Sequence, residues 1–112
     1  MSGESIQAEP DVSIVLPTYK RAHVLAGAIR SVLRQSFARL ELIVVDDNSP
    51  DNTREVVASF DDPRIRYVRN DPNLKLPRAL NRGFALARGA YLTWTSDDNF
   101  YGETAIVRMV AT

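Results

Sequence analysis

Two hydrophobic periods alternate along this chain, and that alternation limits its fold more than any other feature. Val12 to Leu16 is a short β-branched run closed by Pro17, the pattern of a buried strand. From Ala22 to Gln35 the residues Val24, Leu25, Ala28, Ile29, Val32 and Leu33 recur at helical spacing and form one apolar stripe. Leu40 to Val45 is a second strand, ended by the turn-forming string Asp46-Asp47-Asn48-Ser49-Pro50-Asp51-Asn52. A helix from Thr53 to Phe60 follows, with Val56, Val57 and Phe60 inward and Asp51 as its N-cap. Ile65 to Val68 is a third strand, and residues 70–75 read as a loop. Leu76 opens a third helix whose inner face is Leu76, Ala79, Leu80, Gly83, Phe84 and Ala87, with Gly89 at the expected stop. Ala90 to Thr95 is a fourth strand, and a last helical pattern at Thr104, Ile106, Val107 and Val110 runs into the C-terminus.

Strand and helix in strict alternation, with strands that are apolar throughout, predict an α/β fold. Its layers are α/β/α, around a mainly parallel four-stranded sheet with right-handed crossovers. Residues 1–11 are expected to be a loose polar tail and residues 12–112 one domain. The end inside a helical pattern suggests a domain cut from something longer.

Composition removes several classes of function. Fourteen basic residues balance fourteen acidic ones, so no overall field favours nucleic acid or an anionic surface. The absence of cysteine excludes disulfides and thiolate metal sites. The apolar runs are four or five residues long, as in Leu42-Ile43-Val44-Val45, against the roughly 20 that span a bilayer. The first ten residues carry no leader pattern. A cytoplasmic location is expected, with a peripheral place at the membrane, or an anchor further along, left open for a longer protein. A sheet with part of its apolar surface uncovered is also expected to self-associate.

Parallel strands bring their carboxyl ends to one edge, where ligands of open α/β sheets bind. Three such ends are polar: Pro17-Thr18-Tyr19-Lys20-Arg21, Asp46-Asp47-Asn48-Ser49 and Thr95-Ser96-Asp97-Asp98-Asn99. Adjacent carboxylates such as Asp97 and Asp98 repel each other unless a cation or donors compensate. A hard divalent ion, Mg²⁺ or Mn²⁺, would do so; a helix N-cap beside a solvated acid is the other reading. Asp46 continues its strand toward the core edge, which turns Asp47 into the crevice. There its carboxylate can accept the imide N–H of a uracil ring, or simply serve the turn. Thr18 and Tyr19 offer a hydroxyl and a flat ring to a base, or form an ordinary loop. His23, the single histidine, reads as a surface residue, and Trp94 and Phe84 read as core. No Gly-x-Gly-x-x-Gly follows the first strand, no P-loop is present, and one histidine so placed supports no Ser/His/Asp set. Phosphate would be met by a metal, by helix N-termini, or by Lys20, Arg21, Lys75 and Arg78.

With these residues in hand, the chain resembles family 2 glycosyltransferases of the GT-A fold. The matching stretches are Val12 to Tyr19, Glu41 to Ser49, Ala79-Leu80-Asn81-Arg82-Gly83 and Ser96-Asp97-Asp98, in the family's order and spacing. The string from Ser96 to Tyr101 is similar to the family's spore-coat polysaccharide branch. The resemblance implies the Rossmann-like, nucleotide-sugar-binding half of the fold, with a UDP-sugar as donor and a saccharide or other hydroxyl compound as acceptor. It places Pro17, Thr18, Tyr19, Arg21, Asp47, Lys75, Asn81 and Asp97 around the nucleotide, and Asp98 on the Mn²⁺ or Mg²⁺ that bridges the diphosphate. It implies transfer with inversion by a carboxylate base, which no residue of this sequence supplies. Three departures stand out: Thr95 where many relatives have Asp, Lys75 where a glycine is common, and Leu80 where an Arg is often found just before the Asn81 position. Two other readings stay open, a non-catalytic nucleotide-binding module and a metal-dependent nucleotidyltransferase.

Overall fold

The computed structural model describes residues 10–34, 39–89 and 91–95. Four strands form one parallel sheet: β1 (Val12–Thr18), β2 (Leu40–Asp46), β3 (Ile65–Arg69) and β4 (Tyr91–Trp94), in the order β3-β2-β1-β4. Three helices connect them, α1 (Ala22–Leu33), α2 (Thr53–Ala58) and α3 (Lys75–Leu86). The α/β/α architecture is therefore as expected.

Every residue of β1 and β2 is buried, which is why these two strands lack a polar alternation: both faces are covered. Val12, Ile14, Leu16, Leu40, Leu42 and Val44 meet Leu25, Ala28, Ile29 and Val32 of α1 and Val57 of α2. The alternate residues Val15, Ile43 and Val45 meet Ala79, Leu80 and Phe84 of α3. α3 lies very close to the sheet. A Cβ on Gly83 would stand 2.4 Å from a Val15 methyl.

Beneath the sheet, at the amino ends of the strands, Glu41 is buried in a polar network. Its carboxylate accepts hydrogen bonds from Ser13 Oγ at 2.6 Å, the Arg88 amide at 2.7 Å, Arg66 at 3.1 Å and Arg88 Nε at 3.2 Å. Burial pushes its pKa up, but these donors outweigh that and hold it below the ordinary value. Gly89 donates its N–H to Ser13 Oγ at 2.8 Å, and a Cβ there would meet the Ser13 and Val12 backbone at 2.8 Å. Close approach, not a left-handed helix stop, is thus what the glycine serves. α3 ends at Leu86, and the next residue, Ala87, is extended.

Four further expectations need correcting. Pro17 does not end β1, which runs on to Thr18 in register with β2. It ends the pairing with β4 instead. Thr95 N–H donates to Val15 O at 3.0 Å, so Val15 and, two residues on, Pro17 face β4. The next rung would need an N–H that proline lacks. Trp94 is not core: it is 47% exposed, on a strand that among the described residues is bonded to β1 alone. Tyr91 and Leu92 beside it are also exposed. Asp51 acts one residue before the N-cap, Asn52. It accepts from Thr53 N–H at 3.2 Å and from Ala22 N–H of α1 at 3.3 Å, so one carboxylate ties two helix starts together. α3 begins at Lys75, one residue before the expected Leu76. The last helical pattern lies outside the described residues.

Candidate functional site

The carboxyl ends of all four strands share one edge, and strand order reverses there: β2 and β3 lie to one side of β1 and β4 to the other. The β1/β4 gap is the switch point at which open α/β sheets take ligands. Pro17 has no N–H to add a rung to the ladder there. Thr95, buried and bonded to β1, brings β4 to its rim. The expected ligands Asp97 and Asp98 lie outside the described residues.

The β2 end is rigidly organised. Asp46 is fully buried. One carboxylate oxygen accepts from Ser49 N–H at 2.9 Å, the other from Tyr67 OH at 2.5 Å and Arg69 at 3.1 Å. Burial and the Asp46 carboxylate both push the Tyr67 phenol above its usual range. Asp46 is therefore structural, as its inward turn predicts. Arg69 also donates to Ser49 O at 3.0 Å and Asn48 Oδ1 at 2.8 Å, closing the turn. Ser49 Oγ accepts the Lys20 N–H at 3.0 Å and joins this turn to the β1–α1 loop.

Asp47 turns the other way, toward α3. Its backbone N–H donates to Thr18 O at 2.9 Å, fixing it beside β1. Its Oδ1 accepts from Asn70 Nδ2 at 2.9 Å and Leu74 N–H at 2.7 Å, and its Oδ2 from Lys75 N–H at 2.8 Å. The first amides of α3 are orphan donors by construction, and Leu74 at the N-cap has no side-chain acceptor. Asp47 supplies it from another element, at the end of the helix dipole that favours negative charge. A carboxylate offers about four lone-pair directions. With three taken, the open one is on Oδ2.

Among the described residues, three other than glycine adopt the left-handed region, and all three line this edge: Lys20 (φ 59°), Asn48 (φ 71°) and Lys75 (φ 71°). Such backbone costs about 1–2 kcal/mol per residue and gathers where surroundings over-determine it. Lys75 occupies a conformation suited to glycine, which accounts physically for the glycine common at this position and leaves the lysine here without a structural explanation. The Tyr19 ring is exposed, and the Lys20 ammonium lies 5.2 Å from its centroid.

The site residues read from sequence thus fall into three groups. Pro17, Thr18, Tyr19, Asp47 and Lys75 come together at one edge, and Arg21 follows as the N-cap of α1, with its carbonyl accepting from Val24 and Leu25. Arg78 and Asn81 lie exposed in the first and second turns of α3. Asp97 and Asp98 are outside the described residues. His23 is exposed, as a surface residue should be. Sequence reasoning missed Asn70, Asn73 and Arg82. Asn70 is fully buried at the end of β3, Asn73 donates to Asp47 O at 2.7 Å, and Arg82 donates to Asn70 Oδ1 at 2.7 Å. The strand-end rule that singled out β1, β2 and β4 would have found Asn70 had it been applied to β3. Among the described residues no group of three histidines or carboxylates could hold a metal ion, and no helix is long and apolar enough to cross a membrane.

Comparison with known proteins agrees with this geometry. Residues 13–112 match the model of the family described as Glycosyl transferase family 2. The chain is 37% identical over 90 residues to the UDP-Glc:alpha-D-GlcNAc-diphosphoundecaprenol beta-1,3-glucosyltransferase WfgD of Escherichia coli, covering 80% of this chain and 36% of that protein. It is 40% identical over 93 residues to the GalNAc(5)-diNAcBac-PP-undecaprenol beta-1,3-glucosyltransferase of Campylobacter jejuni, covering 80% and 30%. The chain therefore spans about a third of the length of these relatives. Among solved structures, S. aureus TarS 1-349 in complex with UDP-GlcNAc superposes with a TM-score of 0.84 at 22% identity, over 90% of this chain and 30% of that one. The mannosyltransferase PcManGT of Pyrobaculum calidifontis, in complex with GDP-Man and Mn2+, gives 0.76 at 25% identity, over 84% and 29%.

Proposed function

The chain belongs to glycosyl transferase family 2, and from that premise we propose that it holds a nucleoside-diphosphate sugar, with uracil as the base, for transfer to a hydroxyl acceptor. The observation that carries this reading is Asp47. Three N–H donors orient its carboxylate beside the switch point and leave one Oδ2 lone pair for the imide N–H. Tyr19 supplies a ring for the base and Thr18 a hydroxyl for the ribose. Arg21 and Lys75 serve the phosphates, Asn81 another part of the nucleotide, and Asp97 the ribose. The glucosyltransferase of E. coli carries a UDP-sugar in its name, which supports uridine over guanosine. Both glucosyltransferases named above act on saccharides carried by undecaprenol diphosphate, which supports polysaccharide assembly as the setting. The spore-coat likeness of residues 96–101 points the same way.

The metal enters through Asp98. Both described carboxylates at this edge are already engaged, Asp46 by Tyr67 and Arg69 and Asp47 by backbone amides. The described residues alone therefore do not make the site. Asp98 would hold Mn²⁺ or Mg²⁺, a fit supported by the Mn2+ of PcManGT. The ion would neutralise charge on the departing diphosphate. Inversion and a carboxylate base rest on the family resemblance. Since the chain spans about a third of its relatives, we expect it to bind donor but transfer little by itself.

Calorimetric titration of UDP into the 112-residue chain tests this, with and without Mn²⁺ and again on Asp98→Ala. Binding that requires the metal and disappears in the variant is expected. A folded sample that ignores UDP under both conditions would sink the reading.

A further inference from the structure

Asn70 is fully buried, and its side-chain amide is used at both ends. Nδ2 donates to Asp47 Oδ1 at 2.9 Å, while Oδ1 accepts from Arg82 at 2.7 Å. An amide side chain has two orientations related by a flip. Here both neighbours demand the same one, because a guanidinium can only donate and a carboxylate can only accept. The backbone of Asn70 is held as well, its N–H donating to Asp46 O at 2.8 Å. A cation on the outer side of α3 is thereby connected, through one buried amide, to the carboxylate at the mouth of the site.

We infer that Arg82 is a positioning residue that sets the base selectivity of the site: by locking Asn70 it fixes which Asp47 lone pair faces the nucleotide. This rests on the reading of Asp47 as the acceptor of a uracil imide N–H. Without Arg82, the buried Asn70 Oδ1 loses its donor and the amide is held from the Asp47 side alone, free to shift but not to flip. Its bond to Asp47 Oδ1 then loosens, and the carboxylate can tilt about its terminal torsion, which is broad. The open Oδ2 lone pair moves with it. Only a ligand that donates to that lone pair feels the change. Uracil carries a proton at its ring N3; cytosine carries none there, and its N3 accepts instead.

The test compares UDP and CDP as probes, titrated into the full 112-residue chain and its Arg82→Met variant. Arg82 is exposed on α3, and methionine keeps most of its apolar stem, so the fold should survive; urea midpoints of both proteins check this. The variant should bind UDP roughly three- to tenfold more weakly, the effect of losing one hydrogen bond of this kind, with CDP affinity unchanged. An unchanged UDP affinity overturns the inference. So does an equal loss for both nucleotides, which would mean that Arg82 acts through charge or general stability. Failure of the unmodified chain to bind UDP would instead remove the reading of Asp47 and this inference with it.

Discussion

Replacing Gly83 with alanine should reverse the usual sign of that substitution. In an ordinary helix interior Gly→Ala stabilises by about 1 kcal/mol, from backbone entropy alone. Here the new Cβ would stand 2.4 Å from one Val15 methyl and 3.0 Å from the other, against about 3.5–4.0 Å for favourable carbon contacts. Val15 is fully buried in the central strand and cannot swing aside. Overpacking of this kind costs about 1–3 kcal/mol, so the substitution should be neutral to destabilising by about 2 kcal/mol. Val15→Ala alone should cost about 2 kcal/mol through the cavity it leaves. With Val15 already shortened, Gly83→Ala has room, recovers the propensity gain and fills part of the cavity. It should then stabilise by about 1 kcal/mol or more. Urea denaturation of the four proteins gives the double-mutant cycle. Stabilisation by Gly83→Ala to the same extent in both backgrounds would refute the close approach of α3 to β1.

Lys75→Gly should raise thermal stability, by about 1 kcal/mol, since the left-handed strain disappears while the N–H to Asp47 remains. The same change should weaken UDP binding if the ammonium meets phosphate, so melting and titration would move in opposite directions. Glu41→Gln should destabilise by about 2 kcal/mol in urea, because the amide cannot accept from four donors and leaves Arg66 and Arg88 without their anion; both arginines are part-exposed, which limits the loss. Acid should act through the same group. Burial raises the pKa of Glu41, but its donors pull it below the ordinary value, and the hydrogen bond from Arg64 does the same to Asp62. Below its ordinary pKa, near 4, each binds protons more readily in the unfolded chain. Stability should therefore be full above about pH 5–6 and fall as the pH drops below about 4. Urea midpoints between pH 3 and 7 should show this fall, and Glu41→Gln should flatten it.

The sheet was legible because β1 and β2 are covered on both faces and therefore read as unbroken apolar runs. The α3 stripe was legible too, down to Gly83. Other features depend on contacts between residues far apart in sequence, which periodicity does not carry. Trp94 reads as core by residue type, yet among the described residues its strand is bonded to β1 alone, and strand order is not written in any local pattern. Asp51 reads as a helix cap, but half of its work is done on α1, 29 residues away. Asp46 and Asp47 are chemically identical neighbours. Strand alternation told them apart: one turns to Tyr67 and Arg69, the other to the start of α3. Asn70 and Arg82 stayed hidden because nothing in an isolated Asn or Arg announces that it is one link in a three-residue chain.

Pro17 has a consequence for how a ligand enters. At position 17 the ring leaves β1 with no amide hydrogen to offer β4, whether or not a ligand is bound. A guest therefore has no hydrogen bond from this position to break and spends none of its affinity on breaking one. A residue with an amide hydrogen at position 17 could add one more rung to the ladder. In this sense one bar across the entrance is removed by a missing atom.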